Sequence, residues 1–106
     1  NRSKSKITII QAIDRKIDLE ELSRSLNMSF EQLLDEIEAI VNAGTKINIS
    51  YYLDNVIDIE DQQEIFDYFR DSESDSLKDA YAELCPDYSE IEVRLVRIRF
   101  ISEMGN

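Results

Sequence analysis

Apolar residues recur at helical spacing along most of this chain. Ile7, Ile10 and Ile13, with Ile9 alongside, predict a short first helix over about residues 7–14. From Asp18 to Gly44 the run DLEELSRSLNMSFEQLLDEIEAIVNAG reads as two helices joined by a tight turn, a helix-turn-helix. Asp18 is placed to cap the first of them, with Glu21 three residues on to close a capping box, and Ile17 and Leu22 are spaced as a hydrophobic staple. Ser29 and Gln32, with Met28 and Leu33, repeat the device for the second. Asn27 stands in the turn, where a residue tolerant of the left-handed backbone is needed. Ser23 is small where the two helices must approach closely. The second helix collects Phe30, Leu33, Leu34, Ile37, Ile40 and Val41 on one face, and Gly44 ends it.

After Gly44 the period changes. In KINISYYLD the residues Ile47, Ile49, Tyr51 and Leu53 alternate with polar neighbours and Tyr52, which is a strand-like pattern. A winged helix would place strands here, but no turn and second strand follow. The wing is therefore expected to be reduced or absent, with at most a short extended piece near 46–49 and then a helical turn. Of the Tyr51–Tyr52 pair, one ring is expected in the core and one outside. Asp58 opens a helix to about Arg70 that is expected to bury Ile59, Ile65, Phe66 and Phe69. The DSESDS segment is a loop, Ser76 and Asp79 cap a short helix holding Leu77, Ala80, Tyr81 and Leu84, and Pro86 stops it. Ser89 and Glu92 form a further capping box, with Tyr88 and Val93 as its staple. The last helix, about 90–103, is apolar on most sides, which places it at the centre of a core. Its narrow polar strip is Glu90, Arg94 and Arg97, and Glu90 precedes Arg94 at the i, i+4 spacing that favours an ion pair. The fold class that follows is mostly α: a helix-turn-helix half (7–49) packed on a C-terminal helical half (50–106) in one helical domain. Residues 1–6, NRSKSK, read as a linker, and the chain as a piece of something longer.

Charge sharpens this picture once it is divided along the chain. The 106 residues carry a formal net charge of −11. Residues 1–16 hold Arg2, Lys4, Lys6, Arg15 and Lys16 against Asp14, a net of +4; residues 17–93 hold four cations against 21 carboxylates, a net of −17; residues 94–106 hold Arg94, Arg97 and Arg99 against Glu103, a net of +2. An acidic body is flanked by two basic ends, and only the ends suit a phosphate backbone. In a DNA-reading helix-turn-helix the second helix faces the major groove. Here its outward positions are Glu31, Gln32, Asp35, Glu36, Glu38 and Asn42, four carboxylates and no cation. Glu31, Asp35, Glu36 and Glu38 are thus candidates for a protein-contact face, and Lys4, Lys6, Arg15 and Lys16 for phosphate contacts. Little else invites chemistry. With no His and one cysteine, Cys85, there is no His-based catalysis, no zinc cluster and no internal disulfide, and two glycines cannot build a phosphate-cradling loop. No apolar run approaches the ~20 residues of a membrane span.

Certain stretches resemble a known family. Gly44-Thr45-Lys46-Ile47-Asn48-Ile49 with Tyr52, then Lys78 and Leu84, then Tyr88 and Ile91 before Arg94-Leu95-Val96, look like the helix-turn-helix module at the C-terminal end of RecQ-type DNA helicases. The runs AIVNAGTKINISYYLD and RLVRIRFISEMGN look like the bacterial RecQ chains of the Bacteroidetes kind. The resemblance implies a cytoplasmic, nucleoid-associated parent chain with ATP-driven 3′-to-5′ DNA unwinding in repair and recombination. ATP, Mg and Zn would then be held by the rest of that parent, with no catalytic, cofactor or metal residue here. The partners it implies are the remainder of the helicase chain and, through it, DNA. Two other readings stay open: a direct DNA-binding module using the basic ends, and an acidic adaptor from an unrelated regulator.

Overall fold

Local hydrogen-bonding signals in the sequence set most of the helix boundaries. The computed structural model describes residues 2–105, and of Arg2 and Ser3 the backbone alone. Its helices are α1 (Arg2–Asp14), α2 (Leu19–Ser25), α3 (Phe30–Asn42), α4 (Ser50–Val56), α5 (Ile59–Asp71), α6 (Leu77–Leu84) and α7 (Glu90–Met104). No strand forms among the described residues. Among the described residues the fold is all-helical, with a helix-turn-helix at α2–α3 and no wing.

The caps explain the starts. Ser29 and Ser89 each accept a hydrogen bond from the backbone N–H three residues on, and Gln32 and Glu92 return it, so both capping boxes are complete. Ser76 caps α6 through the Asp79 N–H, and Pro86 follows its end. Asp18 accepts from Glu21 N, but the reciprocal bond from Asp18 N to the Glu21 carboxylate is not made, so this cap is half of the expected box. Asp58 precedes α5 without a side-chain cap bond.

Three helices end alike. Beyond α1, α2 and α3, residues Lys16 (φ 61°), Asn27 (φ 58°) and Gly44 (φ 98°) take the left-handed conformation. In each case two backbone bonds return to the last turn, as in Lys16 N to Ile13 O and Ile17 N to Ala12 O, or Gly44 N to Val41 O and Thr45 N to Ile40 O. This is the Schellman arrangement, and it satisfies carbonyls the helix leaves open.

Two expectations are corrected here. The segment 2–6, read as linker, is the first part of α1; Lys is a good helix former, and the turns beyond it are anchored by Ile9 and Ile13, both buried. Asn1 and Asn106 lie outside the described residues. Ile7 is 55% exposed, because the inward face of α1 follows Ile9 and Ile13 rather than Ile7 and Ile10. Ile59 is 67% exposed, being the first residue of α5 and at the end of its inward stripe, which runs through Gln62, Ile65, Phe66 and Phe69.

One hydrophobic cluster draws residues from all seven helices. α7 is central to it, packing on α3, α4, α5 and α6 and burying Val93, Leu95, Val96 and Ile98. Phe100 stacks on Phe69 at 5.7 Å and meets Phe66 edge-on at 5.5 Å. The alternating segment 45–49 finds its backbone partner on α7 instead of in a sheet. Ser102 Oγ accepts from Ile47 N at 2.9 Å and donates to Ile47 O at 2.6 Å, and Ile47 and Ile49 are both buried. Beside them Lys46 Nζ donates to the carbonyls of Ser102 and Gly105, which places a cation at the negative end of α7.

Candidate functional site

The second helix of the helix-turn-helix buries Leu33, Leu34, Ile37, Ile40 and Val41, and this turns its carboxylates to the other side. Glu31 and Asp35 are exposed, as are Gln32 and Asn42, while Glu36 and Glu38 are half-buried. Because α7 packs along α3, a cation reaches this face after all. Arg94 Nε donates to Glu38 Oε2 at 3.1 Å and its Nη2 to Glu38 Oε1 at 2.9 Å, a two-point clamp, and Nη2 also reaches Asp35 Oδ1 at 2.8 Å. The Arg94 and Glu38 side chains are only 12% and 14% exposed. The hydrogen bonds it donates to Glu38, and after them the one to Asp35, hold the Arg94 guanidinium above its ordinary pKa against the opposing effect of burial. The expected Glu90–Arg94 pair is thus replaced by a pair between helices. A planar guanidinium gains more from a half-desolvated carboxylate that it meets edge-on than from an exposed one on its own helix.

That clamp sorts the four carboxylates of the candidate contact face. Asp35 and Glu38 already hold Arg94. Glu36 shares a shallow depression with Lys6, Ala39 and Ile40. Glu31 stands in the first turn of α3, exposed. Replacing all four by Gln would therefore also weaken the α3–α7 tie; Glu31 and Glu36 are the two that can be neutralised without touching it.

The candidate phosphate contacts fall into two pairs. Lys4 is exposed and Lys6 half-buried in the first turns of α1, while Arg15 and Lys16 are exposed in the turn after it. A helix of 13 residues separates its ends by roughly 18–20 Å, so the structure does not gather the four into one cluster. The basic C-terminal end is absorbed within the fold. Arg97 donates to the Asp75 carbonyl and pairs with its carboxylate at 3.8 Å. Arg99 pairs with Glu103 at 2.8 Å and lies over the Phe66 ring at 4.8 Å.

Sequence reasoning missed a second feature, an open groove of about 430 Å³ between α2, α4 and the start of α7. Tyr52 is the buried ring of its pair; it lies 6.0 Å from the Phe30 ring, and its hydroxyl donates to Glu20 Oε2 at 3.0 Å. Tyr51 is half-buried and donates to the Ile17 carbonyl, which joins α4 to the turn before α2. Burial, and after it the neighbouring Asp18, pushes the Tyr51 hydroxyl up to about 12. Burial followed by the Glu20 hydrogen bond raises that of Tyr52 as well. The signal for this groove in the sequence was faint: only the aromatic pair and the small Ser23 marked it.

Residues 3–53, which cover α1, the helix-turn-helix and the segment leading into α4, match the family model of the RecQ-1-like, helix-turn-helix domain. The chain carries a RecQ-like helix-turn-helix domain. No curated protein matches the chain. The matched residues include the Gly44–Ile49 stretch and Tyr52; α5, α6 and α7 lie beyond them, so the Arg94 clamp and the Ser102 tie join the RecQ-like domain to a part of the chain outside the match.

Proposed function

We propose that this chain is the accessory C-terminal part of a RecQ-type ATP-dependent 3′-to-5′ DNA helicase of bacterial repair and recombination, and that it works through protein contact, restraining how its own longer chain engages DNA. One observation carries the reading. The helix that would read the major groove carries four carboxylates on its outer side, and Arg94, which meets two of them, is consumed in an internal clamp. A polyanion is repelled by such a face, whereas the basic DNA-binding surface of a motor is attracted by it. ATP, Mg and Zn belong to the remainder of that chain in this reading; the residues here offer neither a phosphate loop nor a zinc ligand set.

Deleting this module from the longer chain should raise DNA affinity or unwinding rate at low salt, and the difference should shrink as salt screens the contact. Glu31→Gln with Glu36→Gln should reproduce part of the gain while leaving the Arg94 clamp whole. Weaker DNA binding on deletion would reverse the proposal. It would favour the second reading, in which Lys4, Lys6, Arg15 and Lys16 bind phosphates directly. The exposure of three of these four cations supports that alternative. Fluorescence anisotropy of this chain on duplex DNA separates the two: under the second reading each neutralised lysine should lower the salt slope by roughly one.

A further inference from the structure

The groove beside the helix-turn-helix has a largely apolar lining that includes Phe30, Tyr52, Ile57, Ile91 and Leu95. Val56 also lines it and is 45% exposed, an uncovered apolar side chain at the groove. Two carboxylates share this lining, Glu20 from α2 and Glu92 from α7. Each is engaged through one oxygen only in a neutral hydrogen bond, Glu20 Oε2 with the Tyr52 hydroxyl and Glu92 Oε1 with Ser89 N. Among the described residues neither enters an ion pair, in contrast to Asp35 and Glu38 on α3. Arg24, one turn after Glu20, is the single cation of the lining. Most of the walls come from residues 17–93, the part of the chain with a net charge of −17.

We propose that this groove docks a basic amphipathic protein segment, which seats an aliphatic or aromatic side chain on the apolar lining and sets Lys or Arg beside Glu20 and Glu92. The inference deepens the reading above, on which it rests for the idea that the module acts through protein contact. It names the surface that makes the contact and the chemistry of the partner. Apolar burial supplies the affinity, and the acidic rim and body supply steering and selection against acidic partners. The carboxylates of α3 contribute less, because Asp35 and Glu38 are already paired with Arg94.

Two short synthetic peptides test this on the chain itself by calorimetry and NMR: one with Leu and Phe flanked by lysines, and its counterpart with glutamates in place of the lysines. The lysine peptide should bind and shift the amides of groove residues, and the glutamate peptide should not. Glu20→Gln with Glu92→Gln keeps both hydrogen-bond acceptors and the α7 cap, so the fold should hold; binding should weaken about tenfold at low salt and by less at high salt. Val56→Ser should weaken it at every salt, and Arg24→Ala should tighten it. Circular dichroism of each variant confirms that it is folded. Preference for the glutamate peptide, lost on Arg24→Ala, would overturn the proposal in favour of an acidic partner. Absence of groove shifts with either peptide would also overturn it. Neither result bears on whether deleting the module changes DNA engagement, so the two readings fail separately.

Discussion

Lys16 illustrates how one side chain can be placed by its backbone more firmly than by its charge. Its φ of 61° belongs to a conformation that costs an L-residue roughly 1–2 kcal/mol, and nothing but the Schellman turn requires it. Lys16→Gly should stabilise the chain by about 0.5–1 kcal/mol in urea unfolding, and Asn27→Gly, where Asn already tolerates the turn, should change it less. Since Lys16→Gly also removes a candidate phosphate contact, any loss of DNA binding it causes cannot be blamed on unfolding. The tyrosines yield a prediction in pH. An unfolded tyrosine ionises near pH ~10; in the fold, burial holds Tyr51 protonated up to about 12 and raises Tyr52 too. A group whose folded pKa is raised contributes stability that is complete below its unfolded pKa and disappears as pH climbs through the folded one. The chain should therefore lose stability from about pH 10 upward. Tyr51→Phe should flatten part of that loss, and a tyrosinate absorbance titration with parallel circular dichroism would show Tyr51 and Tyr52 ionising late, with Tyr81, also raised by burial, beside them.

α3 and α7 are held together by contacts of two kinds, and they respond differently to substitution. Leu33, Leu34 and Ile37 on one side and Val93, Leu95 and Val96 on the other are buried, and supply non-directional adhesion. The Arg94–Glu38 clamp supplies register, because two parallel N–H···O bonds form only at one relative position of the helices. Arg94→Ala leaves Glu38 largely desolvated without its partner and should cost about 2–3 kcal/mol. Arg94→Lys should recover only part of this, since an ammonium cannot make the two-point contact. The double variant Arg94→Met with Glu38→Leu should be more stable than Arg94→Ala alone. A double-mutant cycle measured by chemical unfolding reads the coupling directly.

In the molecule as a whole, the family match and the packing divide the chain differently. The match ends at residue 53, inside α4, yet the inner face of α3 is covered by α7, and the 45–49 segment is hydrogen-bonded to Ser102. A chain ending at residue 53 would expose that face and leave the Ile47 backbone groups without their partner. It should show reduced helix content and no cooperative thermal transition, whereas the chain through residue 106 should unfold in one step. A truncated piece with the full chain's cooperative melt would show that residues 3–53 are self-sufficient.

Much of what is decided within three or four residues was legible in the sequence, although the Asp18 box closed by half and the left-handed turn at Lys16 carried no such signal. The capping boxes at Ser29 and Ser89, the cap at Ser76, the left-handed turn at Asn27 and the stop at Gly44 rest on bonds between near neighbours, which spacing alone reveals. The central place of α7 was legible too, because a helix apolar on most sides has to be covered on most sides. The acidic outer face of α3 followed from helical period. What spacing could not reveal is which groups meet across the fold. Arg94 chose Glu38, 56 positions away, over Glu90 on its own helix; Ser102 took the Ile47 backbone groups that a winged helix pairs with a second strand; Ile59 fell at the uncovered end of its stripe. Each depends on where α7 and α5 lie against the helix-turn-helix, and so does the availability of each carboxylate to a partner. Helix period assigns a charge to a face; the packing of distant helices decides whether that charge is already satisfied.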